Sequence, residues 1–111
     1  MGYMFKNIYN LTSLDLLSFD TSLVTNMNSM FLNCSNLISL NLSSFNTEGV
    51  FGMKRMFCNC SNLQLLDLSN FNTKYVYIVD IFEGIYKNMT IITKDTRICD
   101  VKPLGSKCYS K

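Results

Sequence analysis

The sequence contains no histidine, and this absence removes the commonest general base and the commonest nitrogen ligand for metals. Serine triads and zinc sites with histidine ligands are therefore excluded. A glycine-rich phosphate loop is also missing, and the dispersed acidic residues have no spacing that indicates paired carboxylates: Asp80, Glu83, Asp95 and Asp100. The residues predict a protein that is not an enzyme and that holds no metal or cofactor.

Long apolar runs are missing as well. No segment approaches the roughly 20 apolar residues that a bilayer-spanning helix needs. The N-terminus has no charged region followed by an apolar signal segment. The sequence therefore predicts no membrane span and no signal peptide in this chain.

Charged residues are few, at 16% of the 111 residues, while 48% are hydrophobic. This balance predicts one domain with a buried core, whose partner contacts depend more on hydrogen bonds than on ion pairs. Residues 1–93 carry five Lys/Arg and six Asp/Glu, whereas residues 94–111 carry five and two. The basic tail lacks an interleaved aromatic platform, which favours a solvated cap over a phosphate-binding site and predicts no nucleic-acid partner.

A period of 26 residues runs through most of the chain and relates Leu14, Leu40 and Leu66. The same offset relates leucine, phenylalanine, threonine, valine, methionine, asparagine and cysteine positions, which indicates an internal structural repeat. The third repeat shifts by one residue at Ile81, and Asn88-Met89 is interpreted as restoring the spacing. We predict a repeat region at 1–92, comprising a partial repeat at 1–13 and repeats at 14–39, 40–65 and 66–91, followed by a C-terminal cap or tail at 93–111.

Each repeat has two halves with different periods. Leu40 and Leu42 alternate with polar residues, as in a short half-buried strand. The spacing of three and four residues in the second half predicts a short helix with one apolar face: Val50, Met53, Met56 and Phe57. Stacked repeats would place equivalent strands about 4.8 Å apart in a parallel sheet. The predicted fold class is α/β, a leucine-rich-repeat solenoid with parallel strands on one face and short helices on the other.

Matched residues would then form rows along the stack. The methionines are interpreted as the inner face of the helix layer rather than a soft binding groove. Two polar rows are predicted to satisfy backbone donors where each strand turns outward, namely Asp20, Asn46 and Asn72 with Thr21, Thr47 and Thr73.

The outward strand positions form the candidate binding surface, predicted to be the concave side of the sheet. Alternate strand residues project to one face. The candidate residues are Ser13, Asp15, Leu17, Ser39, Asn41, Ser43, Leu65, Asp67 and Ser69. For the row of Asp15, Asn41 and Asp67, simple solvation and partner binding both remain open.

Five cysteines leave the redox compartment open. Cys34 and Cys60 are repeat equivalents, and parallel stacking favours two buried thiols over a disulfide. Cys58 and Cys60 lack the paired spacing of a zinc site, and alternation along the chain would send one sulfur inward and the other outward. Cys99 and Cys108 form a candidate disulfide that would close the cap in an oxidising space.

Five Asn-x-Ser/Thr matches occur, and they matter only in a secreted eukaryotic protein. They lie at Asn10, Asn33, Asn41, Asn59 and Asn88. A repetitive chain rich in Asn, Ser and Thr generates such matches by itself, and Asn33 and Asn59 are predicted to lie in tight turns.

Three strings carry a family resemblance: Leu-Asp-Leu-Leu-Ser-Phe-Asp-Thr at 14–21, Val-Thr-Asn-Met-Asn-Ser-Met-Phe at 24–31 and Asn-Cys-Ser-Asn-Leu at 33–37. They resemble the repeats of the BspA-like leucine-rich family, in its mycoplasma-type form with 26-residue units. Such repeats occur in surface lipoproteins of mycoplasmas and other bacteria and in surface proteins of some parasitic protists. The resemblance spans residues 3 to 92 and implies a solenoid at the cell surface or outside the cell, with adhesion to other proteins as its role.

Two functional hypotheses follow. The first is a non-enzymatic module that binds a protein partner through the candidate surface, as an adhesin-like protein would. The second is a structural repeat fragment that assembles by end-to-end stacking, with self-association through the exposed N-terminal edge, where strand groups are unpaired.

Overall fold

The computed structural model describes residues 2–110 and contains one parallel sheet of four short strands. The sheet order is β1-β2-β3-β4, and the strands are β1 (Ser39–Asn41), β2 (Leu65–Asp67), β3 (Thr90–Ile92) and β4 (Lys107–Tyr109). One helix, α1 (Thr96–Asp100), lies between β3 and β4 in the sequence. The predicted α/β class with parallel strands is confirmed. Within the described part of the chain, no helix has the length and apolar character to cross a membrane.

Equivalent residues of successive repeats pair across the sheet. Leu40 of β1 lies opposite Leu66 of β2, and Leu66 lies opposite Ile91 of β3. All three side chains are buried, because alternate strand residues point to the core. A bridge between Asp15 and Asn41 extends the same parallel pairing to the first repeat. The predicted rows of apolar residues across the strands are confirmed.

The second half of each repeat does not form the predicted helix, and that prediction is wrong. Residues 53–59 follow a series of turns. Arg55 and Asn59 have φ values of 55° and 61°, and their equivalents Ser29 and Asn33 have 57° and 63°. This left-handed conformation has no place inside a right-handed helix. The buried residues recur every three or four positions because consecutive tight turns return the chain to the same side.

Backbone donors in these turns alternate between two destinations. The Met56 and Cys58 N–H groups donate within the repeat, to Met53 O at 3.3 Å and Arg55 O at 3.1 Å. The Phe57 N–H donates to Ile81 O in the next repeat at 3.0 Å, and the Asn59 N–H donates to Glu83 O at 2.8 Å. A helix would keep all such bonds local. The turn layer is therefore hydrogen bonded between repeats, as the sheet is.

Phenylalanine rings fill the space between sheet and turns. Neighbouring rings are nearly parallel, with centroids 5.4, 5.7 and 5.8 Å apart, along the stack Phe5, Phe31, Phe57 and Phe82. The equivalent methionines are also buried, at Met27, Met30, Met53 and Met56. The interpretation of the methionines as core residues is confirmed, although turns and not helices carry them.

The segment after β3 continues the stack with a helix and a strand that do not follow the 26-residue repeat. Strand β4 pairs with β3, so that Ile91 lies opposite Cys108. Helix α1 contributes Ile98 to the core, and Asp95 caps it by accepting from the Arg97 N–H at 2.9 Å. The boundary predicted after residue 92 coincides with the end of β3. Residues beyond it supply the last strand of the sheet.

Candidate functional site

The candidate strand face comprises the nine outward residues predicted from the sequence. The structure brings them into parallel rows, because Ser39 pairs with Leu65 and Asn41 pairs with Asp67. The exposed members are Ser13, Asp15, Leu17, Asn41 and Leu65, and the half-buried ones are Ser39, Ser43 and Ser69. Asp67 differs from the rest, with only 6% of its surface exposed. The face is therefore exposed along the first repeat and at Asn41 and Leu65, and it is closed at Asp67.

The Asp15, Asn41 and Asp67 row has a local structural role. The Oδ1 atom of each accepts a hydrogen bond from the N–H two residues later, at 3.0, 2.9 and 3.0 Å respectively. These side chains close the turn that follows each strand. Each has a second polar atom in its side chain, and at Asp15 and Asn41 that side chain is exposed. Asp15 and Asn41 can therefore support the backbone and contact a partner at the same time.

Sequence reasoning missed the continuation of this face across β3 and β4. Thr90 pairs with both Leu65 and Lys107, while Ile92 pairs with both Asp67 and Tyr109. These four residues extend the two outward rows of the strand face. The predicted return to the original spacing at Asn88-Met89 is wrong, because Leu66 lies opposite Ile91 and not Ile92. The alternation in Lys107-Cys108-Tyr109 is the sequence signal that could have indicated the last strand.

A shallow depression of about 250 Å3 lies on the strand face near its first repeat. Its walls include Ser13, Asp15, Leu17, Ser39 and Asn41. Leu17 is 52% exposed, which gives the depression an apolar edge beside hydroxyl, amide and carboxylate groups. A mixed surface of this kind suits the side chains of a polypeptide partner.

Threonine side chains join the turns of neighbouring repeats. The Thr47 Oγ1 hydroxyl donates to Asn72 O at 3.4 Å and accepts from the Asn72 N–H at 3.0 Å. Thr21 forms the same pair of bonds with Asn46. The Oδ1 atoms of Asp20, Asn46 and Asn72 accept from the N–H groups two residues later, and the bond from Ser22 lowers the pKa of Asp20. The structural role predicted for these rows is confirmed for Asp20, Asn46, Asn72, Thr21 and Thr47, whereas the Thr73 hydroxyl donates to the Asp95 side chain instead.

An asparagine row runs along the turn layer. The Nδ2 group of Asn33 donates to Asn7 Oδ1, and that of Asn59 donates to Asn33 Oδ1, both at 2.8 Å. Gly84 follows in the next repeat with a φ of 83°, and a Cβ atom there would lie 1.8 Å from Asn59 Oδ1. The row therefore ends at Gly84, because the Asn59 side chain occupies the space that a side chain at position 84 would need. This row explains the Asn-x-Ser matches at Asn33 and Asn59 in structural terms.

Three cysteines are buried thiols, at positions 34, 58 and 60. The Cys34 thiol donates to Phe5 O at 3.0 Å, and the Cys60 thiol donates to Phe31 O at 3.1 Å. Burial raises the pKa of both thiols, which makes them weak nucleophiles. Cys60 belongs to the hydrophobic core, whereas Cys58 is buried outside that core, close to the charged groups of Arg55, Asp80 and Glu83.

Cys99 and Cys108 are joined by a disulfide, with their Cα atoms 5.9 Å apart. The bond ties the end of α1 to β4. No group of three or more Cys, Asp or Glu side chains within residues 2–110 is arranged to hold a metal ion.

Comparison with known proteins identifies a family. No curated protein and no solved structure matches the chain. One family model, described as Mycoplasma protein of unknown function, DUF285, matches residues 1–105 and so covers every repeat and α1. The mycoplasma part of the sequence resemblance is thereby confirmed. The chain belongs to this Mycoplasma family.

Proposed function

We propose that the chain is a non-enzymatic protein-binding module of an adhesin-like surface protein, and that it binds through the strand face. In this proposal its repeats form a solenoid of the BspA-like leucine-rich type, with the strand face on the concave side. One observation carries the proposal: the parallel pairing gathers residues from five segments of the chain into two continuous outward rows.

The composition of these rows supports a protein partner. Leu17, Leu65 and Tyr109 are 52, 43 and 53% exposed, and they lie among serine, threonine and asparagine side chains. Protein interfaces combine such apolar contact points with a polar surround that forms hydrogen bonds. Charges on the face are few, so shape and hydrogen bonding would dominate recognition.

The binding face is tested with two matched double variants. Leu17→Arg with Leu65→Arg places two cations on the strand face, and Leu23→Arg with Leu104→Arg places two at exposed positions that do not belong to its rows. The purified chain is applied to intact host cells, and bound protein is quantified. We expect the first variant to lose at least about tenfold in affinity, since a charge buried in an interface is costly. Equal binding by both variants would exclude the strand face.

The surface location is tested separately, by labelling intact cells that produce the protein with a reagent that does not cross membranes. We expect the protein to be labelled without lysis. Labelling only after lysis would contradict the surface location while leaving the binding test intact.

The alternative function is assembly by end-to-end stacking. Phe5, Leu14 and Phe19 are only partly buried, since they pack against the core from the first repeat. Among residues 2–110, Asp15 forms a bridge with Asn41 on one side and with no strand residue on its other side. A second copy placed on this edge would cover apolar surface and pair backbone groups. Sedimentation analysis at rising concentration tests the alternative, and a monomer throughout would contradict it.

A further inference from the structure

Two adjoining depressions lie where the last repeat meets the C-terminal segment. Their volumes are about 380 and 410 Å3, and both are lined by Asn72 and Lys74. We refer to them together as the junction groove. The first depression also includes Lys94 and Arg97, and the second includes Asn46, Glu48 and Tyr75.

Cations outnumber carboxylates in the junction groove, with Lys74, Lys94 and Arg97 against Asp95 and Glu48, and the first depression is its more basic part. Lys74, Lys94 and Arg97 are exposed, and none of them forms an ion pair within residues 2–110. The only carboxylate in the first depression, Asp95, accepts hydrogen bonds from the Thr73 N–H at 2.6 Å and the Thr73 hydroxyl at 2.7 Å, as well as from the Arg97 N–H. Its charge is thus directed into the structure, and the three cations face solvent beside it.

This basic character is specific to the last repeat and is not a product of the repetition. The equivalent turns carry Asp20 with Ser22, then Asn46 with Glu48, then Asn72 with Lys74. The backbone geometry is the same in all three, because the first residue of each pair accepts from the N–H of the second. Formal charge therefore changes from negative in the first two turns to positive in the third. Lys94 and Arg97 add two further positive charges beside the third turn.

Neutral groups in the junction groove offer hydrogen bonds and an apolar plane. Asn46 and Asn72 use Oδ1 to accept from the backbone, which leaves their Nδ2 donors without a partner in the described residues. The Tyr75 ring is 87% exposed, and the Lys74 ammonium lies 5.3 Å from its centroid. Exposed aromatic rings present a flat apolar surface, on which the C–H face of a sugar ring can pack.

We propose that the junction groove binds an acidic saccharide, whose sulfate or carboxylate groups contact Lys74, Lys94 and Arg97 while a sugar ring packs on Tyr75. Lysine and arginine form strong charge-assisted hydrogen bonds with such anions. The amide donors of Asn46 and Asn72 match the hydroxyl oxygens of a sugar. An acidic peptide would use the cations but would leave these amides and the ring without a defined role, so the saccharide fits the groove better.

The ligand class is tested by titrating the full chain with a sulfated octasaccharide prepared from heparin, followed by calorimetry and by amide chemical shifts. The comparison ligands are the same octasaccharide after desulfation, a polyglutamate peptide and single-stranded DNA. We expect binding of the sulfated saccharide only, with shifts at residues 72–76 and 94–97. Tighter binding of polyglutamate or DNA, or shifts centred elsewhere, would overturn the proposal.

Charge-matched variants separate a site from general attraction. Lys74→Gln with Lys94→Gln and Arg97→Gln removes the groove cations, while Lys6→Gln with Lys54→Gln and Lys87→Gln removes the same charge elsewhere. We expect the first variant to lose at least about tenfold in affinity for the sulfated octasaccharide, and the second to lose much less. Equal losses would show that binding follows net charge and would refute the site.

The aromatic contact has its own pair of variants. Tyr75→Ser should weaken binding about threefold, and Tyr86→Ser, which alters a tyrosine of 91% exposure outside the groove, should leave affinity unchanged. An unchanged affinity for both would remove the sugar-packing part of the proposal. All these residues are exposed, so thermal unfolding of each variant should match that of the unsubstituted chain.

Discussion

The repeats at 14–65 and the segment from 66 onward continue the same stack with different residues. In the first region, Asn59 bonds to Asn33 and the Cys60 thiol bonds to Phe31 O, each through residues that recur at the repeat period. In the second, Gly84 replaces the asparagine, and Asp95 accepts from Thr73 where the earlier threonines bond to an asparagine backbone. The comparison shows that stacking requires a hydrogen-bond partner for each buried polar group and a core without voids. Residues of several types can meet these two requirements.

The largest expected effect is the loss of a ring from the middle of the phenylalanine stack. Phe57→Ala should lower the free energy of unfolding by about 4 kcal/mol, because it removes a buried ring with neighbours on both sides. Phe82→Ala, at the end of the stack in the second region, should cost less. Urea denaturation of both variants measures the difference, and a larger loss for Phe82→Ala would contradict the larger contribution of a ring that is stacked on both sides.

A methyl group at Gly84 tests how the asparagine row ends. Gly84→Ala should cost about 3 kcal/mol, from the left-handed backbone and the clash with Asn59 Oδ1 together. In an Asn59→Gly background the clash disappears, and the same substitution should cost only about 1 kcal/mol. A double-mutant cycle in urea measures this coupling. Additive effects would show that the row does not end for steric reasons.

The disulfide is the feature that most separates the second region from the first. Replacing Cys99 and Cys108 with serine should cost about 2.5 kcal/mol, the value expected for a loop of this short length. Thermal unfolding under oxidising and reducing conditions gives the measurement. Reduction should leave the serine variant unchanged, and a reductant effect on that variant would indicate that another pair of cysteines contributes.

Substitutions of Asp95 test whether its carboxylate stabilises the contact between the last repeat and α1. Asp95→Ala removes the acceptor for Thr73 and for the Arg97 N–H and should cost about 2 kcal/mol. Asp95→Asn keeps one acceptor oxygen and should cost about half of that. Asp100→Ala, at an exposed position on the same helix, is the matched control. Equal costs for Asp95→Ala and Asp100→Ala would contradict the bridging role.

The smallest expected effect is the pH dependence of stability that comes from the buried Cys60 thiol in the repeats at 14–65. Burial raises the pKa of Cys60, so the neutral thiol favours the folded state, and its contribution is complete below the unfolded pKa and is lost as pH rises. Stability should fall by about 1.4 kcal/mol per pH unit above about pH 9 for this thiol. Cys60→Ala should flatten the dependence by that amount. Equal slopes before and after substitution would contradict the assignment.

The sequence was sufficient for the pairing of β1 with β2, because the leucines of these strands recur at a fixed spacing and alternate with polar residues. For the turn layer, the sequence pattern predicted a helix that the structure does not contain. Met53, Met56 and Phe57 have helical spacing, and only the backbone conformation at Arg55 and Asn59 distinguishes two tight turns from a helix. Side-chain periodicity reports which residues are buried, and different backbone paths can bury the same set.

The candidate strand face could be predicted in part. Asp15, Asn41 and Asp67 pair at the 26-residue spacing, as do Ser39 and Leu65, since the repeat is regular there. Thr90 and Tyr109 were missed, because the spacing between paired strands shortens from β2 to β4. The length of a connecting turn is not encoded in strand residues. The burial of Asp67 also depends on neighbours that the sequence pattern does not identify.

The alternating backbone donors of the turn layer have a consequence for how the protein opens. In the turn segments at 27–34 and 53–60, several amides donate to the following repeat, so a repeat that detaches exposes donors on the repeat it leaves behind. Opening should therefore proceed in steps along the stack, as in a one-dimensional chain of coupled units. Amide hydrogen exchange would then be slowest in the middle of the stack and faster towards an unconstrained end.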